Sequence, residues 1–72
     1  MTANYLVVLE HGQRNWSAYV PDVPGCVATG KTREMTLARM RVAVEMHLRG
    51  LREDGEAVPV PSAESARLEV AA

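Results

Sequence analysis

The chain has a single cysteine, so no disulfide can form within it. It has no phenylalanine, one tryptophan and two tyrosines, which leaves little aromatic mass for a core. No apolar run approaches the roughly 20 residues that span a bilayer. The first residues, MTANYLVVLEH, lack the basic start and long apolar stretch of an export signal. A lone thiol without an export signal fits a reducing cytoplasm. No excess of one charge is present either. Eight Lys and Arg face nine Asp and Glu, for a net charge of -1, whereas nucleic-acid modules typically carry a basic face or a pI above about 9. Cys and His show no zinc-site spacing. What remains is one small domain of 72 residues. A chain this short buries only about 60% of the surface its unfolded form exposes, and self-association is the common remedy for so thin a core.

The elements are legible from period and punctuation. NYLVVLEH (Asn4 to His11) is rich in β-branched and apolar residues on both faces and predicts a strand. Gly12, Gln13 and Arg14 predict a turn, and WSAYV (Trp16 to Val20) a second, antiparallel strand. The following PDVPGCVATG carries two prolines, which suit turns and not a sheet interior. Gly25 after Pro24 is a turn signature, and Cys26 to Thr29 predicts a short third strand closed by Gly30. Thr32 is placed to cap a helix from Arg33 to about Arg52, with Gly55 as its stop. EAVPVPSAES then reads as an extended return. ARLEV (Ala66 to Val70) alternates as a half-buried strand does.

The order β-β-β-α-β gives an α+β fold, a two-layer sandwich with one long helix on one face of a mostly antiparallel sheet. Because helical crossovers return to a parallel strand with fixed hand, the last strand is expected beside the first, in order 4-1-2-3. The helix carries two apolar stripes. Leu37, Met40, Val44, Leu48 and Leu51 form the longer one, assigned to the sheet. Met35, Ala38, Val42 and Met46 form the other, nearly opposite. The bland reading of this second stripe is scattered surface methionine. The sharper one is a contact surface for a second copy or another protein, a role methionine suits.

Candidate chemistry is sparse. Cys26 could act as a nucleophile only with an activating base, and packing is the simpler role for a lone small thiol. His11, Cys26 and His47 have no spacing that ties them into a metal site. Glu10, Asp22, Glu45 and Glu69 could serve a metal-dependent nuclease only if they converged, and Glu69 alternates outward. GCVATGKT, residues 25 to 32, fits GxxxxGK[ST] literally. A phosphate-binding loop, however, needs a buried parallel strand before it and a much larger sheet after it. No cofactor, metal or catalytic residue is expected.

One combination is more specific. Tyr19, Asp22, Pro24, Gly25, Cys26, Thr29, Gly30 and Thr32, then the helix, then GEAVPVP, resemble the HicB family over residues 4 to about 70. That family's signature runs approximately D-[LV]-P-G-C-x-[AT]-x-G-x-T, helix, G-x-x-[IV]-P-x-P. The resemblance implies a partial ribonuclease-H-like sheet without a working catalytic centre. It also implies an antitoxin that covers a small, basic, messenger-RNA-cleaving HicA-type toxin. Many HicB proteins add a DNA-binding domain, and these 72 residues are expected to be a single HicB-like domain without one, with no direct contact to nucleic acid or membrane. The sequence-level expectation is therefore a non-enzymatic binding protein, homodimeric or larger. It is drawn to a basic partner by its mild acidity and contacts that partner or itself through Met35, Ala38, Val42 and Met46. The alternatives are an orphan oligomeric domain without a toxin, or a small metal-dependent nuclease.

Overall fold

The computed structural model describes residues 2–72. Three strands, β1 (Val8–His11), β2 (Trp16–Tyr19) and β3 (Val27–Gly30), precede one helix, α1 (Arg33–Glu53). The sheet is an antiparallel meander in the order β1-β2-β3. Leu9 stands opposite Ala18, and Ala18 opposite Ala28. The helix lies over β2 and β3, which gives the expected α+β two-layer arrangement.

Local chemistry explains each junction. The Gly12 amide donates to the Asn15 carbonyl at 2.8 Å and closes the first hairpin. Above it, His11 and Trp16 are a direct cross-strand pair with rings stacked at 4.4 Å, the kind of pair that holds a short ladder in register. Between β2 and β3 the chain makes two consecutive β-turns. The Val23 amide bonds the Val20 carbonyl at 3.1 Å, and the Cys26 amide bonds the Val23 carbonyl at 3.3 Å. Each turn has proline at its second position, where φ is already set. Gly25 sits at φ 91, where a side chain would be strained. The corner residues Val20, Val23 and Cys26 are all buried, while Pro21, Pro24 and Gly25 are exposed. PDVPGC is thus a rigid corner that turns one apolar residue inward at every third position.

The helix starts and stops where its caps dictate. Thr32 Oγ1 accepts from the Met35 amide at 3.0 Å. The Thr36 hydroxyl, fully buried, donates to the Thr32 carbonyl at 2.8 Å. At the far end, Gly55 at φ 73 donates to the Arg52 carbonyl and Glu56 to the Leu51 carbonyl, the paired bonds of a Schellman cap. Met40 and Leu48 are buried, and Leu37, Val44 and Leu51 half-buried, so the longer stripe does face inward. The core is Ala18, Val20, Val23, Cys26 and Met40, flanked by Tyr5, Val7, Leu9, Ala28 and Val44.

Two expectations need correction. The first strand is shorter than Asn4 to His11. Its pairing ends at Val8 opposite Tyr19 because Val20, next on β2, turns its carbonyl to the Val23 amide. The fourth strand does not form: residues 66–70 carry no strand assignment, and Leu68 and Val70 are 86% and 72% exposed. The sheet order is therefore β1-β2-β3 and not 4-1-2-3, and the fuller ribonuclease-H-like sheet would need that strand. The reason lies upstream. The returning chain is tied to the body by the Tyr5 hydroxyl on the Pro59 carbonyl at 2.6 Å and by Asp22 on Ser62 and Ala63. After Ala63, every residue is exposed.

Candidate protein-binding surface

The helix presents one uncovered apolar face. Met35, Val42 and Met46 are 39%, 55% and 64% exposed, and Ala38 is exposed beside them. These four are the stripe expected from the helical period. Their setting follows from α1 being a single helix on a single sheet, which can bury only one of two stripes. At 100° per residue, Arg39 and Glu45 border the stripe on either side, and Arg49 and Glu53 fall within it. Arg39 is held in place by donating to the Thr29 carbonyl at 2.8 Å. Such a surface offers apolar contact among charges of both signs, and the stripe itself carries no catalytic group.

The motif residues are occupied by structural tasks. Pro24 and Gly25 build the second turn, and Thr32 caps the helix. Gly30 ends β3 against the first helical turn, where a Cβ would stand 2.7 Å from Thr36 Oγ1. Thr29 takes the Arg39 bond. Asp22 does something the sequence did not reveal. One carboxylate oxygen accepts the amides of Ser62 and Ala63, and the other the Ser62 hydroxyl, each at 2.9 Å. These bonds, the Ala63 amide foremost and then the Ser62 amide, hold its pKa below the usual carboxylate value. No local signal could have found this, because the partners lie 40 residues away. The same is true of Tyr5 and Pro59, 54 apart.

Cys26 is buried at 6% exposure, and its Sγ faces the Ala43 carbonyl at 3.9 Å. Burial pushes its thiol up, away from the thiolate a nucleophile needs. His11 is stacked on Trp16, and His47 is exposed on the helix. Among the described residues no three His, Cys, Asp or Glu side chains gather as a metal site would require. Half of the GCVATGKT segment is strand: Val27–Gly30 pair with β2, so the residues that would have to wrap a phosphate run extended along the sheet instead. Among the described residues no helix is long and apolar enough to cross a membrane.

A family model described as the HicB-like antitoxin of bacterial toxin-antitoxin systems matches residues 5–70. The chain belongs to the HicB-like antitoxin family. The chain is 35% identical over 58 residues to Antitoxin HicB 2 of Photorhabdus laumondii, covering 81% of this chain and 42% of that protein. It is 33% identical over 55 residues to a 14.9 kDa protein of the rep-hol intergenic region of Haemophilus phage HP1, covering 76% of this chain and 41% of that one. A UPF0150 protein of Helicobacter pylori is 36% identical over 47 residues, 65% of each chain. The HicB-like chain thus spans about two fifths of the length of the first two relatives. The family match takes in the double turn, the capped helix and the proline-bearing return, the three features with the clearest structural tasks.

Proposed function

We propose that this HicB-like domain is a non-enzymatic antitoxin module acting in the cytoplasm. It binds a small basic HicA-type toxin by protein–protein contact and blocks messenger-RNA cleavage. Family membership supports the antitoxin role. The single structural observation that supports binding is the uncovered stripe of Met35, Ala38, Val42 and Met46 on α1. Methionine and valine at such a face supply adaptable apolar contact. With a net charge of only -1, long-range attraction to a basic partner is weak, so the affinity has to come from this close contact.

The test is capture followed by inhibition. The tagged chain is used to pull partners from its source cell, and a recovered small basic protein is assayed for RNA cleavage with and without added chain. Stoichiometric recovery and suppressed cleavage are expected. Val42→Asp should abolish both while leaving the helical signal unchanged, because Val42 has no core contact to lose. Recovery of the chain alone would favour the orphan oligomeric reading instead.

A further inference from the structure

We propose that residues 66–70 of one copy add as a strand to the open β1 edge of a second copy, in a reciprocal exchange that completes both sheets. Four observations converge on this. First, β1 is an edge strand with unpaired backbone groups along its outer side, a ready template for another strand. Second, ARLEV keeps the alternation of a half-buried strand, yet its apolar residues Leu68 and Val70 lie in solvent. Third, a groove of about 900 Å³ runs between the start of the chain and the helix, and Tyr5, Val7, Met40, Val44 and Leu48 are among its lining residues. The groove adjoins β1 at Val7, so a strand laid beside β1 and running past Val8 would bring its end over it.

The fourth observation is one of scale. A compact protein of this mass exposes about 4,400 Å², and this chain exposes 6060 Å². A compact chain of its length has a radius of gyration of about 11 Å. Here the value is 14.0 Å and the longest dimension 48 Å. The excess surface, about 1,600 Å² per chain, exceeds the roughly 800 Å² per partner of an ordinary stable interface. A second copy is the occupant favoured because donor segment and acceptor edge are on the same chain. Two copies related by a two-fold axis each give one strand and receive one, which covers both β1 edges and leaves the added strand and β3 as the outer strands of each sheet. The Asp22 bonds to Ser62 and Ala63 fix the point from which the segment departs. This proposal does not depend on the antitoxin reading.

The experiment is light scattering on the eluting full chain across a concentration series, with amide hydrogen exchange at residues 67–70. The expected mass is twice 7.9 kDa, with slowed exchange in that segment. Leu68→Pro removes a ladder donor from a residue that is 86% exposed; it should halve the mass and leave helical content unchanged. Val42→Asp, on the opposite helix face, should stay dimeric. A parent that is monomeric throughout overturns the proposal, and slowed exchange in that monomer would mean the segment folds onto its own β1. A dimer that survives Leu68→Pro, or one broken by Val42→Asp alone, also overturns it.

Discussion

Two glycines of this chain should respond oppositely to the same substitution. At Gly30, an added Cβ would stand 2.7 Å from Thr36 Oγ1, 3.0 Å from the Thr36 backbone nitrogen and 3.3 Å from Met35 Cγ. The methionine can move. Thr36 cannot, because it is fully buried, its amide bonds the Thr32 carbonyl at 3.0 Å and its hydroxyl bonds the same oxygen. Gly30→Ala must therefore lift the first turn of α1 off the sheet, an overpacking cost of ~1–3 kcal/mol. A domain of 72 residues has a total stability of ~4–11 kcal/mol, so the loss is a large share. At ~4–8 °C per kcal/mol, the melting temperature should fall by at least ~4 °C. Gly50 lies inside the helix with nothing within 4 Å of an added Cβ. Gly50→Ala should raise stability by ~0.5–1 kcal/mol through helix propensity alone. Thermal melts followed by far-ultraviolet circular dichroism, all at one protein concentration, decide the matter. Combining Gly30→Ala with Thr36→Ala should cost less than the two single losses added, since they share one contact. Gly30→Ala melting at or above the parent, or both glycines shifting the same way, would refute the reasoning.

Thr32→Ala should cost ~1 kcal/mol by freeing the Met35 amide, read as a lower urea midpoint with an unchanged slope. Asp22 has a depressed folded-state pKa, so its contribution is complete above the ordinary carboxylate value and is lost as pH falls through the folded value. The amide resonances of Ser62 and Ala63 should move together below about pH 4; in Asp22→Asn that titration should vanish, and its persistence would exclude Asp22 as the tether. The Cys26 thiol should resist a disulfide reagent in the native protein and react at once in denaturant, and fast native labelling would contradict its burial. Cys26→Ser and Lys31→Ala should both retain the captured partner, whereas a thiol or nucleotide enzyme would lose its activity with one of them.

The parts of the fold that were legible are those whose cause is local. A threonine at the cap, a glycine at the stop and a 3.6-residue period are each complete within a few positions, and α1 runs Arg33–Glu53 as they require. The two turns around Pro21 and Pro24 are equally local. The outer stripe was legible for the same reason: period alone places Met35, Ala38, Val42 and Met46 together, and one sheet cannot cover both faces. What escaped was set by distance. Asp22 reads as part of the turn motif and as a carboxylate to weigh for a nuclease, and its role as a tether was hidden because its partners, Ser62 and Ala63, come 40 and 41 residues later. The end of β1 was misjudged because it depends on where β2 stops, and β2 stops when Val20 enters the turn.

Ala66 to Val70 poses a different question, because its alternation was read correctly and its location was not. A period of two says that a segment presents one apolar face and one polar face. It specifies a sheet as the complement, but it carries no information about whose sheet. Within one chain, the choice between a strand's own edge and a neighbour's edge turns on the few residues linking it to its anchor. Here these are Glu64 and Ser65, directly after the Ser62 and Ala63 amides that Asp22 holds. Pairing with either edge would satisfy the same backbone groups and cover the same Leu68 and Val70. The two outcomes differ in free energy mainly by the strain in that short link and the entropy of bringing two copies together. Lengthening the link with two glycines should relieve the strain and shift the balance toward the chain's own β1, converting a dimer to a monomer. If the link played no part in the choice, the same insertion would leave the mass unchanged.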